Sequence, residues 1–260
     1  MTACFYIAVS LPICAQASPW PRGDNRLFVA TNAEFFIATD DFLPSTPDEA
    51  TDSYKRYDLK TYAEFGLTDQ ITLGGTVIYS QSTISNRFEA RQASGFSQIE
   101  AFAQHQLWAS AKSVGAVRVT GGVPTRFETG LRPNIETDGA VAELRFLYGR
   151  NIALKPFKIF ASAEAGYRKR FGDAADFGQV DITVGVEPTD KFLLLLQSYN
   201  AKSIGNAADD GVSFDLYKIS PSIVWRLRKR WAIQAGATFE YAGQNVQRGN
   251  TYFLGLWSSF

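Results

Sequence analysis

The feature that most constrains this chain is an alternation with a period of two, repeated segment after segment from Asp24 to the end. In YDLKTYAEFGL, Tyr57, Leu59, Thr61, Ala63, Phe65 and Leu67 share one parity, while Asp58, Lys60, Tyr62 and Glu64 share the other. Successive side chains of a strand point to opposite faces, so this segment predicts a strand with one apolar and one charged environment. QVDITVGVE repeats the split, with Val180, Ile182, Val184 and Val186 against Asp181, Thr183 and Glu187. WAIQAGATFEY repeats it again, with Trp231, Ile233, Ala235, Ala237, Phe239 and Tyr241 against Gln234, Thr238 and Glu240. No helical period, linker or low-complexity tract interrupts the series, so residues 18–260 read as one all-β domain.

The alternation predicts about 12 strands, near 26–39, 54–67, 71–83, 96–110, 115–128, 139–150, 156–170, 177–187, 191–203, 212–227, 230–242 and 250–260. Their connections alternate in length. LTDQI, AKSVG, RNIALKP, EPTDK and RLRKR are short; DFLPSTPDEATDS, ISNRFEARQASG, ETGLRPNIETDG, SIGNAADDG and AGQNVQRGN are longer and polar, and GDAAD differs less. An even number of strands, with tight turns on one rim and longer loops on the other, predicts an antiparallel up-and-down barrel that crosses a membrane. Tyr57, Tyr148, Tyr167, Tyr217, Trp225, Trp231, Tyr241 and Tyr252, near strand ends, fit aromatic girdles at its two interfaces. A soluble barrel of the same parity is the rival; it would turn the apolar face inward and leave the charges in water.

Composition narrows the class further. Lys and Arg number 26, as do Asp and Glu, so no basic excess points to nucleic acid. Mean hydropathy is −0.13 and the body of the chain holds no apolar run of about 20 residues, which argues against helical membrane spans but not against strands. The first residues, MTACFYIAVSLPICAQA, are apolar and end in Ala15-Gln16-Ala17, a small-x-small pattern. They predict a secretory signal over 1–17, although the usual basic residues at its start are missing, with the mature domain over 18–260. Cys4 and Cys14 both fall within that signal, so no disulfide or cysteine-based metal site is expected in the mature domain.

The chain closes with TYFLGLWSSF, where Tyr252, Leu254, Leu256 and Phe260 share one parity. This ending resembles the C-terminal strand of Gram-negative outer-membrane β-barrels, whose terminal aromatic and alternating apolar residues form an assembly signal; Ser258 departs from the apolar residue often found there. The resemblance implies an outer-membrane location, contact with lipid and lipopolysaccharide, and recognition by the barrel-assembly machinery. A monomer is expected.

The second parity supplies the candidate lumen. Lys60, Glu64, Glu100, Arg118, Glu143, Arg145, Glu164, Arg168, Asp181, Lys218 and Glu240 are expected to line it. Mixed charges of this kind either line a wet passage and select solutes, or pair with one another and fill the barrel. The first alternative predicts a narrow passive channel or uptake pore for small solutes. The second predicts a structural or accessory barrel that supports envelope assembly or polymer export. Arg168 and Arg170 in YRKRFGD, near the longer-loop rim, are candidates for contact with an anionic solute or a lipopolysaccharide phosphate, against solvated rim charges as the alternative. Residues 18–25, SPWPRGDN, are too few to predict a plug.

Catalytic patterns fail at the residues that matter. The single histidine, His105, is followed two positions later by Leu107, where the barrel-type phospholipases and deacylases carry a nucleophilic serine. No phosphate-binding loop, dinucleotide fingerprint or histidine-rich cluster is present, so neither enzymatic activity nor a cofactor is expected.

Overall fold

A computed structural model describes residues 18–41, 53–85, 90–123, 125, 139–154, 157–172, 175–204, 213–244 and 246–260; the predicted signal over 1–17 lies outside them. Twelve strands form: β1 (Leu27–Asp41), β2 (Ser53–Gly66), β3 (Ile71–Ser85), β4 (Ala90–Ala109), β5 (Ser113–Gly122), β6 (Ala140–Leu154), β7 (Phe157–Phe171), β8 (Phe177–Thr189), β9 (Phe192–Ser203), β10 (Asp215–Arg228), β11 (Trp231–Gln244) and β12 (Gln247–Ser259). Each pairs antiparallel with its neighbour in sequence, and β1 closes on β12. The closure is finished by Leu27 and Phe260, which exchange backbone hydrogen bonds of 3.1 and 2.8 Å. No sheet edge is left, as hydrocarbon requires of a spanning sheet.

The predicted strands are all present, and the differences lie at their ends. β4 begins at Ala90 rather than near 96, and β11 and β12 run to Gln244 and from Gln247, through much of the stretch read as a polar loop. These extensions lie at the longer-loop rim, where both faces of a strand meet water and the apolar alternation is lost although the ladder continues. β5 is described as a strand to Gly122, and residues 124 and 126–128 of its expected extent lie outside the described residues.

The distribution of side chains decides between the two barrels left open by the sequence. Outside, Leu254, Phe146 and Val119 are 60, 59 and 56% exposed. Inside, Glu64, Glu143 and Arg118 are buried. Among the described residues, charged side chains on the outward face keep to the strand ends, as at Lys55, Lys169 and Lys202. This is the reverse of a soluble barrel and the arrangement of a barrel immersed in lipid. Aromatic pairs mark the strand ends: Phe35 stacks on Tyr57 at 4.6 Å, Phe192 on Trp225 at 6.5 Å, and Trp231 meets Phe260 edge-on at 6.2 Å. Tyr252, Leu254, Leu256 and Phe260 all face outward.

The short segment before β1 corrects an expectation. Too brief for a plug domain, it nonetheless folds back into the barrel. Gly23 and Asn25 adopt φ of 80° and 55°, the left-handed region that Gly and Asn tolerate best, and the turn they make brings Ser18, Pro19 and Trp20 inside. A glycine at 66 is required there, since any Cβ would collide with the backbone of Gly23. Trp20 meets Phe160 edge-on at 5.8 Å, the Ser18 carbonyl accepts a hydrogen bond from Gln104 Nε2 at 3.0 Å, and Arg22 pairs with Glu64.

Candidate functional site

The lumen is layered. Near the rim that carries Phe260 and the short turns lies a buried apolar cluster: Trp20 and Phe28, Tyr62 and Phe102, Phe160, Leu193, Val224, Ala232 and Trp257 belong to it. Apart from Trp20, which precedes β1, these residues sit on the inward parity towards the short-turn ends of their strands. Phe28 packs edge-on against Trp257 at 5.8 Å, and Tyr62 stacks on Phe102 at 5.8 Å.

All 11 expected lining residues face the lumen, and ten of them are ion-paired. The densest network covers the wall from β4 to β8. Arg145 Nε donates to Glu143 Oε1 at 2.6 Å, while its Nη1 donates to Glu164 at 3.0 Å and Asp181 at 2.8 Å. Arg168 grips both oxygens of Glu100, at 2.8 and 3.1 Å, and its Nε donates to Glu143 Oε2 at 2.6 Å. The planar guanidinium fork explains why arginine, rather than lysine, holds these groups. A second group joins Glu64 to Arg22, to the Tyr62 hydroxyl and, at 3.6 Å, to Arg118. Arg118 also donates to Gln104 Oε1 at 2.6 Å and lies over the Phe102 ring. Lys218 pairs with Glu240 at 2.8 Å.

Lys60 is the exception. It faces a groove of about 260 Å³ formed mainly by β9 to β12 with β1 and β2, and lined by Asn32, Glu34, Gln197, Tyr199, Ser220, Gln234, Thr238 and Thr251 among others. Amides and hydroxyls dominate here. At the short-turn rim, on the same side of the barrel, lies a second cavity of about 240 Å³, lined by Arg226, Arg228, Lys229, Arg230, Trp231 and Trp257. The two linings meet where Trp257 Nε1, from the second cavity, donates to Gln234 Oε1, from the groove, at 3.1 Å.

Several sequence expectations change. Arg168 belongs to the carboxylate network rather than standing ready at the rim. Arg170 donates to the Ala175 carbonyl at 2.7 Å and lies over Phe177 and Phe214. His105 points out of the barrel, away from every lumenal carboxylate, at the short-turn end of β4. Among the described residues, no group of three or more His, Cys, Asp or Glu is placed to hold a metal ion. The sequence analysis did not single out Arg22, Gln104 or Trp257 as lumenal, although the parity of Gln104 and Trp257 was available to do so.

No protein-family model matches the sequence, and no curated protein matches it significantly. Solved structures do match the fold. The COG4313 outer membrane channel from Pseudomonas putida F1 is similar with a TM-score of 0.72 at 11% identity, over 94% of this chain and 100% of that one. The NanC porin gives 0.54 at 7% identity, over 88% and 98%. The translocator domain of the autotransporter NalP from Neisseria meningitidis gives 0.51 at 12% identity, over 92% and 89%. The chain is a transmembrane β-barrel with the fold of Gram-negative outer-membrane proteins.

Proposed function

We propose that this barrel is a narrow passive channel for small polar solutes, with its path along the β9–β12 side of the lumen. The observation that carries the proposal is the pair of cavities on that side, a polar groove and a basic cleft at the short-turn rim, whose linings meet where Trp257 of the cleft bonds to Gln234 of the groove. The opposite wall is locked by ion pairs and acts as scaffold; the near balance of its charges leaves no strong preference for either ion sign. Passage past the Trp257–Gln234 contact needs the buried Trp257 indole to turn. Two of the structural neighbours, the COG4313 channel and the NanC porin, are named as a channel and a porin, which agrees with this function. Tyr252, Leu254, Leu256 and Phe260 serve as the assembly signal in this scheme, facing outward where the machinery reaches them.

A second function, a side-chain-filled accessory barrel, draws on the apolar cluster and the inserted residues 18–22. Liposome swelling separates the two. Vesicles carrying the refolded 18–260 chain should swell in glycine and arabinose, with rates that fall steeply towards sucrose and raffinose. A correctly folded barrel that gives no swelling with any of them overturns the channel.

A further inference from the structure

Charged side chains that point into the lumen between the rims are committed to partners, with two exceptions among the described residues. Glu34 of β1 and Lys60 of β2 have no opposite charge within ion-pair reach, and both line the polar groove. The neighbouring groups of opposite sign or shared register are taken. Asp58, cross-strand from Glu34, is held by Arg56 at 2.8 Å and by the Ser80 hydroxyl at 2.6 Å. Glu240 is held by Lys218 and by the backbone N–H of Gly249.

The register places the two unmatched charges one diagonal step apart on the same face: Asn32 pairs with Lys60, and Glu34 with Asp58. Diagonal neighbours of this kind lie about 7–8 Å apart. Asn32, between them in the ladder, is only 5% exposed, and its Oδ1 has no hydrogen-bond partner. It lies over Gly255, where any Cβ would take its place. Asn32 Oδ1 is buried without a partner, and the half-buried Glu34 and Lys60 stand unpaired beside it on one wall of a cavity of about 260 Å³, so a ligand of matching polarity supplies partners that the lumen itself does not.

We infer that Glu34 and Lys60 form a subsite for a small zwitterion, a solute with one ammonium and one carboxylate group at dipeptide scale. The ammonium is received by Glu34 and the carboxylate by Lys60. Two residues of extended peptide span at most about 7 Å, which fits the diagonal spacing. A simple anion or cation leaves one of the two charges unmatched, and a neutral sugar leaves both. The subsite rests on the proposed channel for its route of access, but its occupancy is measurable without flux.

The test is isothermal titration calorimetry on the refolded, heat-modifiable barrel in detergent, with glycylglycine as ligand and N-acetylglycinamide as the uncharged control. Glycylglycine should bind in the millimolar range and the control should not. E34Q and K60Q should each weaken binding about tenfold, and the charge swap E34K/K60E should restore it in the reverse orientation. Equal or absent heats for the two ligands, as expected if Glu34 and Lys60 simply turn towards each other, overturn the subsite. Salt conductance of the same preparation keeps the two claims apart. Binding without conductance removes the channel and leaves the subsite; conductance without discrimination removes the subsite and leaves the channel.

Discussion

Replacing Trp257 with alanine is expected to raise single-channel conductance several-fold. Trp257 is 1% exposed, wedged edge-on against Phe28 and tied to Gln234 through its indole N–H, and it borders the basic cleft on one side. Gln234, its hydrogen-bond partner, borders the groove on the other. Removing the indole joins the two cavities. Loss of a buried tryptophan costs about 3–5 kcal/mol, so folding has to be verified by heat modifiability before currents are compared. Trp257→Phe keeps a ring in the layer while deleting the hydrogen bond, and its conductance should stay near that of the unmodified barrel. Trp225→Ala, on the lipid face, should leave conductance unchanged. An unaltered current in folded Trp257→Ala places the path elsewhere.

Substituting Arg145 with methionine is expected to destabilise the barrel by about 3–5 kcal/mol, because one guanidinium satisfies Glu143, Glu164 and Asp181 together. Glu164 is buried and loses its ion-pair partner where water cannot replace it, while Glu143, also buried, keeps only Arg168. Urea unfolding in lipid vesicles measures the loss. Arg145→Lys should recover only part of the stability, since a single ammonium lacks the fork that reaches three acceptors. Adding Glu164→Gln to Arg145→Met should recover part as well by removing one orphaned charge. A destabilisation below about 1 kcal/mol, the range of exposed ion pairs, would mean that water reaches this wall freely.

Much of the fold was legible because lipid is an intolerant solvent. A charge on the outward face is so unfavourable that Lys60, Glu143 or Asp181 fixes the facing of its whole strand, and parity alone placed all of the expected lining residues inside. Strand ends were less legible: Ala90–Gly95 and the adjoining ends of β11 and β12 lie where the ladder continues into water and alternation carries no signal. The apolar closure was hidden for a related reason. Phe28, Phe102 and Trp257 occupy the parity assigned to polar residues, and only their convergence at one level of the barrel shows that they are a core. The insertion of Trp20 and Arg22 depends on a turn at Gly23–Asn25 and on the open space over Gly66, which segment length does not reveal. Pairing was beyond the sequence altogether. Arg168 was open to two readings, an anion contact or a solvated rim charge, and is instead neutralised by Glu100 and Glu143, while Lys60 looked like its neighbours and, with Glu34, is left unmatched.

The central claim is that solutes cross this lumen, and planar-bilayer recording of the refolded 18–260 chain in potassium chloride tests it most directly. The predicted result is discrete, small, ohmic openings. Electrical silence from a barrel that is folded and inserted would contradict the channel and leave a filled, structural barrel in its place.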